Sequence, residues 1–128
     1  MTIRVVVAEL ERNGTYLLTQ RLATATLPLL WEFPGGRVRD DEDVEEALHR
    51  AVAFRIGAQI DIQERLMEHT HEYDGYNVTL IVFRATLCSD IQALNVEDFH
   101  WVPFEDMHTY NFPPADQKTM DLLLQDGI

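Results

Sequence analysis

The chain is short of cysteine, lysine and long apolar runs, and each shortage removes a class of function. Cys88 is the single cysteine among 128 residues, so neither an intramolecular disulfide nor a cysteine-cluster metal site can form. A reducing cytoplasm is the expected location, with Cys88 a quiet residue near a strand end. No apolar run approaches the roughly 20 residues that span a bilayer. The start, Met1-Thr2-Ile3-Arg4, lacks the charged, apolar and small-residue regions of a signal peptide, so no membrane association is expected. Positive charge is also scarce: 10 Lys and Arg stand against 22 Asp and Glu, a net charge of -12. Duplex nucleic acid is therefore not an expected partner, because such binding rests on a basic surface that displaces counterions. A small phosphorylated ligand remains open. Lys118 is the one lysine and the other basic side chains are arginine, whose planar fork suits bidentate contacts to phosphate.

What is present reads as one globular domain over residues 1–128, with 46% apolar residues and 9% aromatics. Ile3 to Leu10 is apolar and β-branched, so a strand is expected there. Asn13-Gly14 predicts a tight hairpin returning along Tyr16 to Gln20. Arg21 to Leu30, with Pro28, reads as a loop. Phe33-Pro34-Gly35-Gly36 reads as irregular backbone. From Asp43 to Ile56, apolar residues at Val44, Ala47, Leu48, Val52 and Ile56 recur at helical spacing, with acids crowding the start. Gly57 is placed to end this helix. Ile60 to Thr70 and Tyr76 to Leu87 predict two long strands joined near Asp74-Gly75. The second is apolar on both faces, hence central. Phe99 to Val102 predicts a short strand, Pro103 to Met107 a helical turn, and Pro113-Pro114 the opening of a last helix through Ala115 to Leu124. The expected class is α+β, mixed β-sheets sandwiched between helices.

The run Trp31-Glu32-Phe33-Pro34-Gly35-Gly36 and the segment after it resemble the box of the Nudix superfamily, G-x5-E-x7-R-E-U-x-E-E-x-G-U, where U is bulky and apolar. Gly36, Glu42, Arg50, Val52 and Gly57 fall on box positions. Val5 to Arg21 resembles the opening hairpin of the MutT-like branch. Trp101-Val102-Pro103 with Tyr110 to Asp116 resembles its tail. The resemblance implies the Nudix fold and a ligand of the nucleoside di- or triphosphate class. It also implies magnesium- or manganese-dependent attack of water on phosphorus. A divalent ion neutralises the pyrophosphate before attack, and magnesium wants hard oxygen ligands. Here, however, the three later glutamate positions hold Ala51, Phe54 and Arg55, none of which can ligate magnesium. The expectation is a nucleotide-recognising domain whose hydrolysis is weak or lost. The alternatives are an active pyrophosphohydrolase with relocated acids and a protein-interaction module.

The site residues follow from this frame. Glu42 and Arg50 are the retained catalytic box positions, with an architectural ion pair as their expected role. Gly35, Gly36, Arg37 and Arg55 are expected at the ligand. Arg55 has two readings: a guanidinium contacting phosphate directly, or a surface residue solvated or paired with Glu42. Asp116 either reads a base edge or caps the last helix. Relocated metal ligands would come from Glu42, Glu45, Glu46, Glu97 or Asp98, with Glu42, Glu46 and Glu97 the first candidates and Asn95 at the family's late acidic position. His69 and His71 share a strand face with Glu72 adjoining, a weak zinc pattern. Trp31, Tyr110 and Phe112 either stack on a base or pack in the core.

Overall fold

The computed structural model describes residues 1–114. β1 (Thr2–Arg12) and β2 (Thr15–Gln20) form the expected hairpin. Asn13 and Gly14 turn it with φ of 52° and 79°, the left-handed pair that a two-residue turn between twisted strands requires. β6 (Tyr76–Leu87) runs parallel to β1 from Thr2↔Asn77 to Leu10↔Ala85 and lies between β1 and β5 (Ile60–Tyr73). Parallel neighbours cannot be joined by a tight turn, so the chain between them crosses over through α1 (Val44–Ile56) and β5. β3 (Trp31–Glu32) and β7 (Asp98–Pro103) both pair antiparallel with β2, and a 3-10 helix, Phe104–Thr109, follows β7.

Irregular backbone is the sequence expectation for Phe33 to Gly36, yet Gly35–Arg37 forms a strand, β4, antiparallel to β1 with Val7↔Gly35 and Val5↔Arg37. The missing side chain is the reason. A Cβ on Gly35 would sit 2.0 Å from the Val6 carbonyl oxygen, so only glycine lets the two backbones come this close. Pro34, which has no N–H to give, stays outside the strand, and its carbonyl accepts the Ala8 N–H at 2.8 Å.

α1 starts and stops as its sequence dictates. The Asp43 carboxylate accepts the Glu45 N–H at 3.2 Å, Glu45 and Glu46 complement the helix dipole, and Gly57 closes the helix with φ 63°. Its inner face, Ala47, Leu48, Val52 and Ile56, packs on Val6, Ala8 and Leu10 of β1 and on Ile81, Phe83 and Ala85 of β6. The opposite sheet face carries Val7, Leu80 and Val82 against Tyr16, Leu18, Phe33, Val102 and Met107. β6 is thus covered on both sides, as its two apolar faces predict. Leu48 is fully buried in the first cluster, and its truncation to alanine would cost about 2–5 kcal/mol. The arrangement is α+β. The last helix expected from Ala115 to Leu124 lies outside the described residues, and so does Asp116. No described helix is long and apolar enough to cross a membrane.

Candidate functional site

The strand-loop-helix connection from Gly35 to Gly57 sets the site. Glu42 and Arg50 meet in a bidentate ion pair: Arg50 donates from Nε at 2.7 Å and from Nη2 at 2.8 Å. The Arg39 N–H also donates to Glu42, at 3.1 Å, and Arg50 Nη2 reaches the Arg37 carbonyl at 2.7 Å. The pair therefore ties the loop on both sides to the middle of α1. The Arg50 bonds, with help from the Arg39 N–H, hold the Glu42 carboxyl down at about 2 against an ordinary value of 4.5. Arg55 does not pair with Glu42, which removes that one of its expected readings. Both oxygens of Glu42 are already occupied.

Beside this pair, Gly36, Ala51, Phe54 and Arg55 line an open cavity of about 470 Å³, with Arg37, Arg39, Asp40 and Arg50 around it. A Cβ on Gly36 would be 2.9 Å from the Ala51 Cβ, so the loop rests directly on the helix. Ala51 is buried, Phe54 is 60% exposed and Arg55 is half-buried. A second, more apolar cavity of about 560 Å³ adjoins the first at Gly36, Arg37 and Arg55. Its floor is Ile3, Val5 and Val7 of β1 with Val78 and Leu80 of β6, and Tyr73 and Tyr76 stand at one end. Those two rings stack at 5.2 Å.

The wall opposite that floor comes from Arg21, Thr26 and Leu27, in the stretch Arg21 to Leu30 that the sequence predicts as a loop, and from Glu32 and Phe33 after it. Arg21 pairs with Glu32 through two bonds, 3.0 and 3.2 Å, and holds the Thr26 carbonyl at 2.7 Å. Leu27 and Leu29 flank Pro28 with φ of 53° and 63°, a region that side chains with a Cβ avoid. Such backbone persists where surroundings impose it, commonly beside ligands. Pro28 was the one sequence signal for this, and it marks a loop without revealing strain.

The remaining candidates separate. Glu46 is exposed on α1. Glu97 accepts the Ala23 N–H at 3.3 Å, at the base of the loop. Asp98 is engaged by its own strand, through the Phe99 N–H at 2.8 Å and His100 at 3.0 Å. Asn95 donates to the Phe54 carbonyl at 2.8 Å and so caps the end of α1. Trp31 packs against His100 and Tyr110, and Phe112 against Phe33; none of Trp31, Tyr110 and Phe112 lines either cavity. His71 packs edge-on to Tyr73. Among the described residues no three His, Cys, Asp or Glu side chains group closely enough to hold a metal ion, so Glu42, Glu46 and Glu97 do not form a relocated cradle.

A NUDIX domain model matches residues 5–122, nearly the whole length. The chain belongs to the Nudix family. Within it, the sequence is 33% identical over 115 residues to CTP pyrophosphohydrolase of Escherichia coli K12, covering 89% of this chain and 85% of that protein. The solution structure of the E. coli ORF135 protein superposes with a TM-score of 0.84 at 30% identity, over 97% of this chain and 89% of that one. A MutT NUDIX hydrolase from Burkholderia pseudomallei shares the fold with a TM-score of 0.84 at 21% identity, over 94% and 97%. The kinship is with the MutT-like branch, a group of hydrolases acting on nucleotides. Against that family's divalent-metal chemistry, the donor set here fits poorly. Ala51, Phe54 and Arg55 offer no carboxylate oxygen, and both oxygens of Glu42 already accept from Arg50 and the Arg39 N–H.

Proposed function

We propose that residues 1–128 form a single Nudix domain that binds a nucleoside di- or triphosphate, or a derivative, and hydrolyses it weakly or not at all. The lining of the cavity beside Gly36 carries this reading. Where a Nudix hydrolase presents carboxylates toward the pyrophosphate, this cavity presents Ala51, Phe54 and Arg55. A guanidinium cannot gather a divalent ion, nor can an alanine or a phenylalanine. What survives is the room for a ligand: an apolar cavity wide enough for a nucleoside, opening at Gly36, Arg37 and Arg55 onto a basic one. In this reading the apolar cavity takes base and sugar, and the phosphates lie over Gly36, where the absent Cβ gives them access to the backbone. Carboxylates that act as a unit lose orders of magnitude in rate when removed together.

The decisive experiment is phosphate release from a panel of nucleoside triphosphates, dinucleotides and nucleotide sugars with magnesium, manganese or chelator, scored in parallel for thermal shift. A shift by one nucleotide without metal-dependent turnover is the expected result. Rapid magnesium-dependent turnover would overturn it in favour of an active hydrolase, the reading that similarity to a CTP pyrophosphohydrolase favours.

A further inference from the structure

The arginines of this chain divide in an uneven way. Arg21, Arg50, Arg65 and Arg84 all sit in ion pairs. Arg4, Arg12, Arg37, Arg39 and Arg55 make none among the described residues, although acids outnumber basic residues 22 to 10, and of these Arg12 lies over the Trp101 ring at 4.4 Å. In so acidic a chain an exposed guanidinium readily finds a carboxylate, and of the five without one, Arg37, Arg39 and Arg55 are grouped. All three line the same cavity, and two of them, Arg37 and Arg55, also border the apolar cavity. Asp40 is the one carboxylate lining the first cavity among the described residues, and it is exposed and paired with none of them; Glu32, in the apolar cavity, is paired with Arg21.

Resting on the reading of this site as a nucleotide site, we propose that Arg37, Arg39 and Arg55 bind the polyphosphate directly and without a metal, and that divalent cations weaken the binding. Guanidinium forks match the spacing of phosphate oxygens and form charge-assisted bonds, stronger than neutral ones. Each offers several donors and no acceptor, so the three attract an anion and reject a cation. A net charge of -12 repels free polyphosphate from the rest of the surface, which makes the local positive cluster the place where it can settle. Magnesium bound to the same phosphate oxygens lowers the ligand's charge and occupies the acceptors that the guanidiniums need. The two modes then exclude one another, and by linkage each weakens the other equally.

The test is calorimetric titration of the full chain with a nucleoside triphosphate and with inorganic triphosphate, in chelator and in saturating magnesium. Binding of both in chelator, severalfold weaker in magnesium, is the expected result. Arg55→Ala and Arg37→Ala should each weaken it about tenfold, with Arg55→Lys intermediate. Arg65→Ala removes the same charge on β5, away from both cavities, and should change nothing. Thermal melting establishes that each variant is folded, and Arg37, being exposed, serves if Arg55→Ala does not fold. Nucleotide binding that requires magnesium, or that ignores Arg37 and Arg55 in chelator, would overturn the inference while leaving the nucleotide reading intact. Binding of neither ligand under any condition would overturn both.

Discussion

The Gly35 to Gly57 segment, divided after Arg50, uses the polar groups of its two halves in opposite ways. In the first half, both oxygens of Glu42 and the guanidinium of Arg50 are spent inside the protein, tying loop to helix. In the second half, Phe54 and Arg55 face a cavity, and among the described residues the Arg55 guanidinium has no ion-pair partner. The first half has the Nudix residues and the second lacks the metal-binding ones. The contrast teaches that scaffold and chemistry in this motif are separable, because different residues carry them. Glu42, Arg50 and the glycines preserve the shape of the loop, while Ala51, Phe54 and Arg55 decide what the loop can hold.

The largest effect should come from attacking the scaffold. Gly35→Ala places a Cβ where the Val6 carbonyl oxygen lies 2.0 Å away, and backbone, unlike a flexible side chain, cannot swing aside. β4 would have to leave β1, at a cost of about 3 kcal/mol or more, and urea denaturation should show that loss. Near-native stability in this variant would mean that the β1–β4 contact is not needed to hold the loop.

Next in size is a change of chemistry on an unchanged scaffold. Ala51→Glu, Phe54→Glu and Arg55→Glu combined should raise magnesium-dependent nucleotide turnover by at least about a hundredfold, since the three carboxylates would act as a unit. Chelator should abolish the gain. If the unaltered chain already turns over at the rate of the triple variant, the missing carboxylates were not what limited it.

Most of this scaffold was legible in the sequence, for local reasons. Asn13-Gly14, Asp43 and Gly57 punctuate the chain through their own conformational preferences, and the apolar periods of α1 and β6 report which faces are covered. β4 was not legible, because glycine and proline lower strand propensity and only the tertiary approach to Val6 makes Gly35 a strand residue. The chemistry was readable as a departure from the family pattern at Ala51, Phe54 and Arg55. The apolar cavity was not, since its floor on β1 and β6 and the Arg21–Glu32 pair opposite are joined only by the fold. Nor did the sequence distinguish Arg55 paired with Glu42 from Arg55 alone; both are consistent with its spacing, and Arg50 decides between them.

A smaller effect probes the first half alone. The Glu42 carboxyl is depressed from 4.5 to about 2, chiefly by Arg50, so its folded value lies below its unfolded one. Its stabilising contribution is complete above pH 4.5 and is lost as the pH falls toward 2. Glu42→Gln should therefore melt below the unaltered protein at pH 7, with the gap closing over that acid window. A gap independent of pH would assign the effect to packing and not to the ion pair.

The smallest effect comes from the opposite kind of carboxylate and calibrates Glu42. Glu9 on β1 is 2% exposed, one oxygen has no partner among the described residues, and Arg84 approaches the other only to 3.9 Å. Burial outweighs Arg84, with Glu11 and Glu64 adding repulsion, and pushes its carboxyl above 4.5. The sign is now reversed. Below pH 4.5 both folded and unfolded states are protonated and nothing is lost, but as pH rises the unfolded chain ionises more readily and stability falls. Glu9→Gln should thus melt above the unaltered protein at pH 7, and the advantage should vanish below pH 4.5. Arg84 keeps its 2.7 Å bond to Glu64 in that variant, so removing the Glu9 charge does not strand it. A lower melting temperature at pH 7 would show that the long Arg84 contact outweighs burial. Distance would then be a poor guide to which carboxylates this fold uses, and the architectural role of Glu42 would rest on its acid titration alone.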